Sequence, residues 1–119
     1  MKTLFELGAD MSKTDIRELE NRLTVLIEHL LKIAHVTGPA AKDSFRGWNQ
    51  TVRYQRRDLA LHIEQNKGLK SKLTEAMLDK AYRAALSTVK KQYPATTFPA
   101  TSRFSIEEVL GPDALAALK

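Results

Sequence analysis

Five residues between positions 42 and 57 carry the sharpest chemistry in this 119-residue sequence: Lys42, Arg46, Gln50, Arg53 and Arg57. They recur every three or four residues. On an α-helix, which turns about 100° per residue, Lys42, Arg53 and Arg57 fall within about 40° of Arg46. Four cations with an amide among them can track a phosphate backbone or dock on an acidic protein surface. The same pattern also describes a solvated helix face with Asp43, Asp58 and Glu64 nearby. The sequence leaves all three readings open.

Phe45, Trp48, Val52, Leu59 and Ile63 lie opposite this stripe within about 60° of arc, so the cations must face away from the core. Phe45 and Trp48 share that seam and read as core anchors rather than as a platform for stacking bases. Arg56 flanks the seam. Its expected role is structural, an ion pair with Glu20 or Glu28 on the preceding helix, its stem laid on apolar surface, with Asn21 and Gln55 in reach of such a network.

Other chemistry is sparse. With no cysteine there is no disulfide, thiolate nucleophile or Cys-containing metal site. His29 and His35 stand about 120° apart on one helix, and His62 has no carboxylate at i+4, so no metal site is expected. Neither a Gly-x-Ser-x-Gly elbow nor a glycine-rich phosphate loop occurs. Glu107 and Glu108 suit a helix start better than an acid–base pair. The expectation is a protein without cofactor and without catalytic residues.

The formal charge of +5 is concentrated in one segment. Residues 42–72 hold eight Lys or Arg against three Asp or Glu, while 1–41 hold five against six and 73–119 six against five. A local basic patch follows, rather than a polycation.

Helices must position these residues. Only nine Gly plus Pro and 7% aromatic residues leave too few turn formers for a sandwich of strands. Ser12 and Asp15 make a near-match to a capping box ahead of Ile16, Leu19, Leu23, Leu26, Ile27, Leu30, Leu31 and Ala34. This predicts a helix over about Thr14–His35, whose apolar arc of about 140° suits two neighbours. Gly38-Pro39 ends it. A second helix follows over about Ala40–Asn66, and a third over about Ser71–Tyr93, expected to pack back on the second with apolar stripes on two sides. Ala95–Arg103 reads as an extended, proline-containing strap, Ser105–Glu108 as a capping box opening a short helix through Leu110, and Asp113 as the cap of a last frayed turn.

Three blocks in this order resemble a known family. They are Glu18-Leu-Glu-Asn-Arg-Leu-Thr-Val-Leu-Ile-Glu-His-Leu-Leu-Lys32, then Gly47-Trp-Asn-Gln-Thr-Val-Arg-Tyr-Gln-Arg-Arg57, then Ala81-Tyr82 through Thr97-Phe-Pro99 to Phe104-Ser-Ile-Glu-Glu-Val-Leu110. Together they are similar to the bacterial family named domain of unknown function 29. The resemblance implies an all-helical fold and no established biochemical role. Members usually begin with a longer acidic and aromatic helical region, in whose place Met1–Met11 stands here.

The expected architecture is all-α: an antiparallel bundle of three long helices, the strap and a short C-terminal helix. One helical domain spans 14–110, flanked by an N-terminal segment 1–13 and a tail 111–119. The best apolar run, Leu23–Val36, is interrupted by Glu28, His29 and Lys32, and nothing at the start resembles a secretory signal, so a cytoplasmic protein without a membrane partner is expected. The leading functional expectation is a non-enzymatic protein–protein interaction module, regulatory in character, whose partner could be a second copy. The alternative is a nucleic-acid-binding protein using the basic face.

Overall fold

The computed structural model describes residues 13–101 and 104–118. Among the described residues, the regular structure is four α-helices and one 3-10 segment: α1 (Lys13–His35), α2 (Pro39–Gln65), the 3-10 segment Lys67–Lys72, α3 (Glu75–Gln92) and α4 (Ile106–Leu118). Among the described residues there is no strand, and the fold is all-α. The expected Ser12 cap and the last two residues of the strap, Ser102 and Arg103, lie outside the described residues.

α1 is the spine. Leu19, Leu23, Leu26, Ile27 and Leu31 are fully buried, and this stripe packs along both α2 and α3. Each such side chain contributes roughly 1.5–3 kcal/mol relative to its exposed state. The wide arc on α1 therefore finds its two neighbours within the chain.

Gly38 makes the first reversal. Its φ of 96° is one that side chains rarely tolerate, and Pro39 follows at the first position of α2 with no backbone N–H to lose. α2 then returns along α1, burying Trp48, Val52, Leu59, His62 and Ile63.

α3 departs from expectation twice. It begins at Glu75, because Ser71 belongs to the 3-10 segment, where its hydroxyl donates to the Gly68 carbonyl, and Thr74 is the true cap, its Oγ1 accepting from the Met77 N–H at 3.2 Å. It also packs along α1 rather than back on α2. Lys80 meets Glu20 near the start of α1, and Tyr93 meets Trp48 near the start of α2. α3 thus runs alongside α1 and opposite to α2, with the α1 leucines between. Leu78, Tyr82, Ala85 and Val89 supply its buried stripe, whereas Ala84, expected on a second stripe, is exposed.

The strap is pinned from beneath. Tyr82 donates its hydroxyl to the Pro99 carbonyl, and buried Phe98 meets His35 edge-on at 6.0 Å between ring centres. The capping box then forms reciprocally: the Ser105 N–H donates to Glu108 Oε1 and the Glu108 N–H to Ser105 Oγ, both at 3.1 Å. α4 kinks at Gly111 (φ 76°, ψ 174°) and continues to Leu118, a longer second segment than one frayed turn. Val109 and Leu110 are fully buried, and α4 packs along α2.

The outer face of α2 as the candidate functional site

α2 has a closed side and an open one. On the closed side Trp48 is edge-on to Tyr93, and Lys32 of α1 places Nζ 5.9 Å from the centre of its ring. Burial pushes the Lys32 ammonium below its ordinary pKa, with Glu28 pulling part of the way back. His62 ties the two ends together: its ring nitrogens lie 3.2 Å from the Asp15 carbonyl and 3.4 Å from the Glu18 carboxylate.

On the open side Lys42, Arg46, Gln50, Arg53 and Arg57 are all exposed. No carboxylate among the described residues lies within ion-pair distance of these four cations. Asp58, close to them in sequence, turns instead to Arg22 of α1 at 3.5 Å, in a network where Arg22 also holds Glu18 at 3.0 Å and Gln55 at 3.5 Å.

Large apolar side chains are exposed on the same helix. Phe45, Tyr54 and Leu61, between 47% and 52% exposed, are the exposed large hydrophobics among the described residues, and all three belong to α2. Phe45 was expected in the seam beside Trp48. It has the angular position of Ile63 on the helix wheel, but it lies about five turns closer to the N-terminus, where that side of α2 is not closed. Tyr54 went unremarked in the sequence because it falls on the polar side of the wheel. There Gln50 donates to its hydroxyl at 3.1 Å and the Arg57 guanidinium lies 5.9 Å from its ring centre. Gln50, Tyr54 and Arg57 form one connected row.

Arg56 does something else than expected. Instead of pairing with Glu20 or Glu28, it donates Nε to the Val109 carbonyl at 3.2 Å and a terminal nitrogen to the Glu108 carbonyl. It thereby satisfies carbonyls at the end of the first turns of α4, where a cation is also favoured by the helix dipole. Burial lowers its pKa from the ordinary arginine value. Glu20 pairs with Lys80 instead. The ion pair at the α1–α2 border does exist, but Arg22 makes it, and Gln55 joins there.

Arg56 brings a pocket into being. Arg53, Arg56 and Arg57 line a cavity of about 290 Å³ whose other wall is Leu110 and Pro112 of α4. A larger cleft of about 420 Å³ lies between α1 and α2 around the Arg22 network, where Glu18 and Arg22 already neutralise each other.

The family described as Domain of unknown function DUF29 matches residues 1–115. The chain belongs to DUF29. No curated protein and no solved structure matches it. Two of the DUF29 blocks in the sequence meet in this site: the stretch Gly47–Arg57 forms the middle of α2, and Val109-Leu110 of the third block is the surface on which Arg56 rests. Among the described residues no group of three or more His, Cys, Asp or Glu could hold a metal ion, and no helix is long and apolar enough to cross a membrane.

Proposed function

We propose that this DUF29 chain is a non-enzymatic helical interaction module whose outer α2 face docks on an acidic protein surface. One observation carries the reading: Tyr54 and Leu61, two of the exposed large hydrophobics, flank the side of α2 that carries Lys42, Arg46, Arg53 and Arg57, cations without a carboxylate partner among the described residues. Tyrosine and arginine are the residue types that dominate binding energy at protein interfaces, and apolar residues ringed by charge distinguish a docking face from an ordinary solvated one. The row Gln50–Tyr54–Arg57 is already ordered by its own hydrogen bond and ring contact, so less side-chain freedom is lost on binding.

A second copy fits this face poorly, because a two-fold contact would set the arginines of one chain against those of the other. The apolar arc of α1, wide enough for two neighbours, is taken up by α2 and α3 of the same chain.

The test is affinity capture from nuclease-treated lysate with the wild type and with R46E/R53E/R57E, after circular dichroism has shown both to be helical. Acidic proteins bound by the wild type and lost by the reversal carry the reading. Recovery of the same set by both overturns it. If instead the wild type binds single- or double-stranded nucleic acid in anisotropy titrations, with affinity falling steeply in salt, the nucleic-acid reading replaces it.

A further inference from the structure

We propose that the pocket between α2 and α4 binds a small phosphomonoester, with Arg53, Arg56 and Arg57 around the phosphate and Pro112 against its organic body. Three guanidinium groups line this pocket and, among the described residues, no acidic side chain does. Arg53 and Arg57 are four residues apart on one helix, a spacing at which like charges repel, and neither has a carboxylate partner among the described residues. A dianion placed between them removes that repulsion, which a single carboxylate would do only in part. Guanidinium forks also match phosphate oxygens two at a time.

The third arginine is fixed beforehand. Arg56 is held by the Val109 and Glu108 carbonyls, and its stem lies so close over Gly111 that a Cβ there would fall 2.8 Å from its Cδ. It therefore supplies charge at the site without having to be ordered when the ligand arrives. Pro112, exposed just after that glycine, gives the apolar wall, with Leu110 buried behind it. The volume of about 290 Å³ is at the small end for ligand sites and suits one phosphate with a compact body rather than a dinucleotide. The site goes beyond the docking reading and stands without it. Where both hold, the ligand neutralises two of the cations on which docking depends.

The experiment is a heteronuclear NMR titration of the whole chain at low ionic strength with phenyl phosphate, inorganic phosphate and benzoate. Phenyl phosphate is expected to saturate with shifts centred on Arg53–Arg57 and Gly111. Inorganic phosphate, lacking the apolar body, and benzoate, lacking the second charge, should each bind at least about tenfold more weakly. R53Q/R57Q, at exposed positions, should keep the fold and weaken phenyl phosphate by about a hundredfold or more, at roughly tenfold per guanidinium lost. R46Q, on the same face but outside the pocket, should change the affinity less than about twofold. Absence of saturable binding to the wild type, or equal weakening by R46Q and R53Q/R57Q, overturns the site. Loss of captured proteins on face reversal without any phenyl phosphate binding would reject the pocket and leave docking intact.

Discussion

Phe45 and Trp48 stand three residues apart on α2 and look alike in sequence, yet Trp48 is 8% exposed and Phe45 48%. The difference is one of neighbours. Trp48 has Tyr93 edge-on against it and the Lys32 stem over it, contributions from α1 and from the end of α3. At Phe45 that enclosure has run out. A helical repeat says on which side of a helix a residue lies, but not how far along the axis that side stays covered. α2 is thus two surfaces on one rod, one sealed by the chain's own helices and the other left for something else.

Removing the sealed anchor should do the most damage. Trp48→Ala is expected to destabilise the protein by roughly 3–5 kcal/mol, the range for emptying a large aromatic site. Urea unfolding would show it as a large drop in midpoint. A midpoint near that of the wild type would mean that the sealed face is not sealed.

Next comes the joint between the two surfaces, where Arg56 leaves the α2 helix to hold α4. Gly111→Ala should cost about 1–3 kcal/mol from its positive φ with extended ψ alone, with a further loss as the added Cβ displaces Arg56. Thermal melting measures the loss. An unchanged melting temperature would show that Arg56 does not rest on Gly111.

Lys32 tests the sealed side through pH. Its folded-state pKa is lowered by burial, so the penalty for the buried charge is fully present at pH values below the folded pKa and vanishes as pH rises through the window up to the unfolded value near 10.5. Its contribution to stability therefore improves on the alkaline side. Lys32→Met, of similar length and uncharged, should raise stability at neutral pH, and the gap between the two proteins should narrow as the pH rises toward the unfolded lysine value near 10.5. Denaturation midpoints compared at each pH isolate this group from the other lysines and tyrosines. A gap independent of pH would place the ammonium in full contact with water.

How much of this was legible follows the same division. Helix identities and the buried stripes of α1 and α2 came from period and caps, since Leu19, Leu23, Leu26, Ile27 and Leu31 repeat at helical spacing and Gly38-Pro39 is a local signal. The capping box Ser105–Glu108 is equally local, and it formed. What failed was long-range. Arg56 lies more than fifty residues from the carbonyls it holds, and no spacing rule connects them. The preference of α3 for α1 over α2 depended on which of two apolar surfaces was wider, and loop length favoured the wrong one. Thr74 was readable as a cap, with Glu75 in the turn behind it, but the apolar Leu73 drew the helix start too early. The basic stripe was visible from the wheel. The pocket on its flank was not, because α4 supplies half of its wall.

The smallest effect should come from the exposed aromatic residues, and it separates covered from uncovered positions most cleanly. Phe45→Ala and Tyr54→Ala remove side chains about as large as that of Trp48 from the same helix. Because about half of each is already in water, little apolar area is returned to solvent, no cavity forms, and alanine is the better helix former. Tyr54 also gives up its hydrogen bond from Gln50 and its contact with Arg57, both at the surface and weak on that account. Each substitution should leave stability within about 0.5 kcal/mol of the wild type. Paired with a clear loss of partner capture on Tyr54→Ala, that outcome makes Tyr54 part of a docking face kept exposed at no benefit to the fold. A loss of stability approaching that of Trp48→Ala would show that both sides of α2 belong to the core, and the docking face would disappear with the comparison.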